Sequence, residues 1–146
     1  MAYKTIICGV TGSDASQKAA LGAALLAKEN QARLILVYSV DVAFLKGMTV
    51  ELSAQFGERS LSHLGAHILD HAEQIALGQG VTAHKFLRKG PLLEVLKNVA
   101  VEEKGDLLVL GQEPRSFFDK VLFRGRVEDH LQELRKQMGI EAIIVQ

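Results

Sequence analysis

The chain has 146 residues, 48% of them hydrophobic, and its 17 lysines and arginines are balanced by 17 aspartates and glutamates. A length of 146 residues supports one domain, 1–146, with a core that needs neither disulfides nor a metal to hold it. The charge balance excludes a general nucleic-acid or membrane-surface binder, since both draw on a basic surplus.

The N-terminus, Met-Ala-Tyr-Lys, lacks the charged start, apolar centre and cleavage site of a secretory signal. No apolar run approaches the roughly 20 residues of a membrane span, so a cytoplasmic protein is expected. Thr5 to Val10 is a short, nearly all-apolar run, as in a strand covered on both faces. The lone cysteine, Cys8, falls inside it and reads as a small buried hydrophobe, with no disulfide available within the chain. Thr11-Gly12-Ser13-Asp14 breaks the run, and Ser13 or Asp14 is placed to cap the helix that follows, Ala15 to Asn30. Ala19, Ala20, Ala23, Ala24 and Ala27 let that helix lie close against a sheet. Arg33 to Val40 is a second buried strand.

Residues 41–57 are the least regular stretch, with Phe44 and Phe56 as expected anchors. A second helix runs on to about Leu77, with Leu61, Leu64, Ile68, Ala72 and Ile75 as its predicted apolar stripe. Val81 to Arg88 alternates in polarity, which predicts a strand near an edge. Gly90-Pro91 opens a third helix with proline at its first position, Leu92, Val95, Leu96 and Val99 inward, and Gly105 as its stop. Leu107 to Leu110 is a fourth strand, Arg126 to Met138 a fourth helix ended by Gly139, and Ala142 to Val145 a fifth strand. Strands alternating with helices imply right-handed crossovers and a parallel sheet with helices on both faces.

Asp106 to Val127, DLLVLGQEPRSFFDKVLFRGRV, holds most of the functional signal. A buried strand ending in glycine, followed by a loop and a helix start, is a common phosphate-binding arrangement, because free N–H groups of the backbone point at the ligand. With the turn Thr11-Gly12-Ser13 it would wall a crevice beyond the carboxyl ends of the strands.

The segments IICGVTGS, LILVYSV, KGPLLEVLKNVAVEEKGDLLVLG and IEAIIV together resemble the universal stress protein family over essentially the whole chain. The resemblance implies a Rossmann-like five-stranded parallel sheet in order 3-2-1-4-5, of the adenine-nucleotide alpha-hydrolase-like architecture. It also implies a homodimer formed through the C-terminal strand, and a stress-linked regulatory role with no enzymatic reaction and no required cofactor. ATP or AMP would be the ligand. Nucleotide-binding members carry glycine, two residues, glycine, nine residues, then glycine followed by serine or threonine. Gly111 matches the first position, Pro114 replaces the second glycine, Gly125 falls one residue late, and Arg126 stands in place of the hydroxyl residue. The family's aspartate after the first strand is Thr11 here. On this pattern Val10, Thr11 and Val40 would line the nucleoside side of the crevice. Gly111, Arg115, Gly125, Arg126 and Val127 would form its phosphate side.

Proline removes a backbone donor, whereas Arg115, Lys120, Arg124 and Arg126 offer guanidinium and ammonium groups that replace such donors. The same charges also fit a solvated surface loop. Phe117, Phe118, Leu122 and Phe123 put large apolar groups into that stretch, as a lid on the core or as a partner surface. His63, His67 and His71 recur every fourth residue beside Asp70 and Glu73, and read as a helix flank with no metal site. Two functions follow: a nucleotide-binding module with a degenerate crevice, or a nucleotide-independent dimeric interaction module that uses Phe117, Phe118 and Phe123 against a partner such as a transporter.

Overall fold

The computed structural model describes residues 3–40, 58–111, 136 and 139–145. Five parallel strands, β1 (Thr5–Gly9), β2 (Arg33–Val40), β3 (Ala83–Lys89), β4 (Leu107–Gly111) and β5 (Glu141–Val145), form one sheet in the order β3-β2-β1-β4-β5. This is the expected order. Winding runs outward from β1 to β3 on one side and through β4 to β5 on the other, so the direction reverses between β1 and β4. Helices α1 (Asp14–Asn30) and α2 (Glu58–Gly78) pack on one face, and α3 (Leu92–Glu103) covers the other.

Coverage on both faces explains the near-continuous apolar strands. Ile6, Cys8, Leu34 and Leu36 face α1 and α2, while Ile7, Ile35, Val37 and Leu108 face α3. Each such isoleucine or leucine contributes about 1.5–3 kcal/mol through its burial. The alanines Ala19, Ala20, Ala23, Ala24 and Ala27 are all buried and form the sheet-facing side of α1.

The entry of β1 is fixed by Asp106, just before β4. Its carboxylate accepts from the backbone N–H of Lys4 at 2.8 Å and of Thr5 at 3.0 Å, and its own N–H donates to the Thr5 carbonyl at 3.0 Å. Tyr3 extends the same stitching, its N–H bonded to Asn30 and its hydroxyl to Glu141. Arg88 lies over the Phe86 ring and pairs with Glu102 at 2.8 and 3.3 Å, tying the edge strand β3 to α3.

The structure moves several element details. Leu64, expected in the buried stripe of α2, is 51% exposed. Gly65 takes the inward place because α2 approaches Tyr38 so closely that a Cβ there would sit 2.4 Å from its ring. Leu69 and Ala76 complete the buried face. Pro91 is the N-cap of α3, not its first helical residue. That helix ends at Lys104, which adopts the left-handed conformation (φ 54°), and not at Gly105. Gly105 is small for another reason: a Cβ on it would lie 2.4 Å from Ile7 Cδ1. Strand β3 starts at Ala83, two residues later than expected, because the Val81 N–H bonds back to Ala76 at the end of α2.

Candidate functional site at the carboxyl ends of β1 and β4

The β1 turn and the last residue of β4 come together where the winding reverses. After β1 the chain passes through Val10, Thr11 and Gly12, the last with φ +91°, and enters α1. Ser13 is the N-cap, as the sequence allows, accepting from the Ser16 N–H at 3.0 Å. Ser16 reaches back in turn. Its buried Oγ accepts from the N–H groups of Thr11 at 2.8 Å and Gly12 at 3.4 Å. The turn is thereby closed on itself, and these two donors are already engaged.

Gly111 ends β4 directly against the first turn of α1. A Cβ on Gly111 would lie 2.5 Å from the carbonyl carbon and oxygen of Ala15 and 2.8 Å from the Ser16 nitrogen. All three are backbone atoms that cannot swing aside, so only glycine fits. Val10, Thr11 and Gly111 are thus gathered around one helix start, where orphan N–H groups and the helix dipole favour an anion. Val40 is placed differently. It lies at the end of β2, where its carbonyl accepts from the Gly90 N–H at 3.0 Å, and its side chain, like that of Val10, is 2% exposed and belongs to the core. The remaining predicted site residues, Arg115, Gly125, Arg126 and Val127, and the aromatic set Phe117, Phe118 and Phe123, lie outside the described residues.

Sequence reading missed Ser16 and a cavity of about 150 Å³ beside it, between α1 and α2. Val10, Gly12, Ser16 and Gln17 contribute from the β1 side, and His67, Ile68, His71 and Ala72 from α2. The spacing Ser13-x-x-Ser16 was the available signal for the first, since a polar residue three after an N-cap can bond back to the turn. His67 and His71 are exposed on the cavity rim, while His63 does not line it. Asp70 and Glu73 turn to Lys85, at 2.7 and 3.2 Å. Hydrogen bonding to Lys85 holds the Asp70 carboxyl below its ordinary value. No cluster of three or more histidine, cysteine or acidic side chains with metal-binding geometry occurs among the described residues. No helix among them is long and apolar enough to cross a membrane.

A doubly wound parallel sheet with glycines at the β1 turn and the β4 end of its switch point defines a class of small α/β ligand-binding domains. A model of the universal stress protein family matches residues 2–134, and the chain belongs to that family. A universal stress protein of Methanocaldococcus jannaschii is 30% identical over 120 residues, covering 82% of this chain and 71% of the relative. UspA of Lactobacillus plantarum superposes with a TM-score of 0.74 at 21% identity, over 100% of this chain and 99% of that one. A universal stress protein in complex with cAMP gives 0.68 at 23% identity, covering 100% and 98% of the two chains. The Archaeoglobus fulgidus protein in complex with dAMP gives 0.65 at 17%, covering 100% of both. These likenesses carry the fold.

Proposed function

We propose that this chain is a cytoplasmic, non-enzymatic regulatory module that binds an adenine nucleotide, ATP or AMP, weakly in the crevice between the β1 and β4 turns. The observation that carries the reading is the backbone contact of Gly111 with Ala15 and Ser16. It sets the end of β4 against the start of α1 at the switch point, where ligands of such sheets bind. The cAMP and dAMP complexes of structural relatives support the choice of ligand class. Affinity is low because Thr11 and Gly12 spend their N–H groups on Ser16, and because Thr11 brings no carboxylate to a ribose. Phosphate contact then falls to Arg115, Arg126 and the backbone at Gly125 and Val127, which supply charge in place of the missing donors.

A second reading rests on β5. It is an edge strand, and Ile143, Ile144 and Val145 are only half-buried. An apolar edge of this kind invites pairing with another strand, and a second copy of the chain is the natural occupant. Calorimetric titration with ATP and AMP, with and without magnesium, tests the first reading. Saturable heat in the micromolar to millimolar range is expected. A flat titration to several millimolar would transfer the function to the dimer and the aromatic stretch Phe117 to Phe123, with no nucleotide involved.

A further inference from the structure

The cavity between α1 and α2 has an apolar floor and a polar mouth. Val10, Ala20 and Ala72 in the floor are each at most 4% exposed, with Ile68 and Ile75 beside them. Gln17 on α1 and the exposed His67 and His71 on α2 stand at the mouth. Ile68 closes the cavity toward the β1 turn, since a Cβ on Gly12 would meet its Cδ1 at 2.8 Å. The cavity is therefore set apart from Gly111 and the crevice at the switch point.

Size, charge and entropy narrow what could fill it. Sites for drug-sized ligands run to roughly 300–1,000 Å³, whereas about 150 Å³ is the room an apolar cavity needs for one benzene-sized ring. Among the described residues no acidic, lysine or arginine side chain lines it, so a charged ligand would lose its hydration without gaining a counter-charge. A rigid ring also gives up less conformational freedom on binding than an alkyl chain of equal area. Polar contact falls to the mouth, because Ser16 Oγ already accepts from the Thr11 and Gly12 N–H groups. An imidazole offers a donor and an acceptor, and its ring edge also suits an aromatic neighbour.

We infer that this cavity is a second ligand site, separate from the crevice, for a small neutral aromatic compound of the phenol type. The ring lies on Val10, Ala20 and Ala72, and its hydroxyl bonds at the mouth to His67 or His71. The site does not depend on nucleotide binding.

The test titrates the protein with phenol and with benzene, followed by NMR of the alanine methyl signals. Both are expected to shift Ala20 and Ala72 saturably at millimolar concentration and to leave alanines remote from the cavity in place. Ala72→Leu puts a larger side chain into the space and should abolish both responses. His67→Ala/His71→Ala should weaken phenol about fivefold, the worth of one hydrogen bond, and leave benzene unchanged. Should Ala72→Leu fail to fold, the histidine variant decides, because both positions are exposed. Shifts that rise linearly or spread over the whole protein would overturn the site, as would undiminished phenol binding in either variant. Displacement of phenol by ATP would overturn it as well, by making the cavity part of the nucleotide crevice. A flat ATP titration alongside saturable phenol binding would remove the nucleotide reading and keep this one.

Discussion

Replacing Gly111 with alanine tests the geometry on which the crevice depends. The added methyl would lie 2.5 Å from two backbone atoms of Ala15 and 2.8 Å from the Ser16 nitrogen, about 1 Å inside ordinary contact. A flexible side chain could turn away, but the backbone of a capped helix start cannot move without disturbing the Ser13 and Ser16 hydrogen bonds. Overpacking of this kind costs about 1–3 kcal/mol, and the rigid neighbours place Gly111→Ala at the upper end. For a chain of this size that corresponds to a fall in Tm of roughly 5–10 °C. Gly78→Ala is the matched control: a Cβ there meets nothing within 4 Å. It should be neutral, or stabilising by up to about 1 kcal/mol through helix propensity and chain entropy. Urea unfolding of both variants, read by far-UV circular dichroism, gives the two values directly. A Gly111→Ala protein within about 0.5 kcal/mol of the parent would refute the close approach of β4 to α1, and with it the shared crevice.

Further outcomes follow from individual contacts. Ser16→Ala should cost about 1–2 kcal/mol by stranding the Thr11 and Gly12 donors, and hydrogen exchange at those two amides should accelerate. Unchanged exchange would mean that the turn is not closed by Ser16. Asp106→Ala should cost about 2 kcal/mol, because two charge-assisted bonds to the start of β1 are lost; the Thr5 amide should lose its protection while those of α2 keep theirs. Burial pushes the Cys8 thiol up to about 12, so it should resist thiol reagents at pH 8 except through unfolding. Because its folded value lies above the unfolded one near 8.5, its contribution to stability is full below that pH and declines as pH rises beyond it. For Asp70 the sign is opposite. Its carboxyl is held down by Lys85, so the contribution is present above the ordinary carboxylate value and is lost as pH falls through the folded one. Lys85→Met should return the Asp70 titration, followed by NMR, to the ordinary range.

The fold was legible because both faces of the sheet are covered. Ile6-Ile7-Cys8 and Leu34-Ile35-Leu36-Val37 can sit comfortably only in such a sheet, and turn residues mark where each strand stops. The errors arose where two elements approach unusually closely. Leu64 satisfies helical spacing, yet Gly65 faces the sheet because Tyr38 leaves no room for a side chain. Gly105 looks like a helix stop, but its smallness serves Ile7, and Lys104 takes the left-handed turn. Neither partner is a sequence neighbour, so no local pattern carries the information. The candidate site divides in the same way. Thr11, Ser13 and Gly111 stand out as turn residues, whereas Ser16 and the cavity walls owe their roles to the meeting of α1 with α2.

Asp106 also bears on how the chain is made. β1 is the central strand, and its two neighbours come from very different stages of synthesis: Ile7 pairs beside Ile35 on one side and beside Leu108 on the other. Until the ribosome has released residue 108 and beyond, a nearly all-apolar strand therefore has one ladder edge vacant, the condition under which nascent chains aggregate or recruit chaperones. Asp106 precedes β4 and bonds to amides 101 and 102 positions upstream, so it meets β1 before the apolar part of β4 arrives. The charged residue can thus set the register of the incoming strand from its amino end, shortening the interval in which the centre of the sheet stands open.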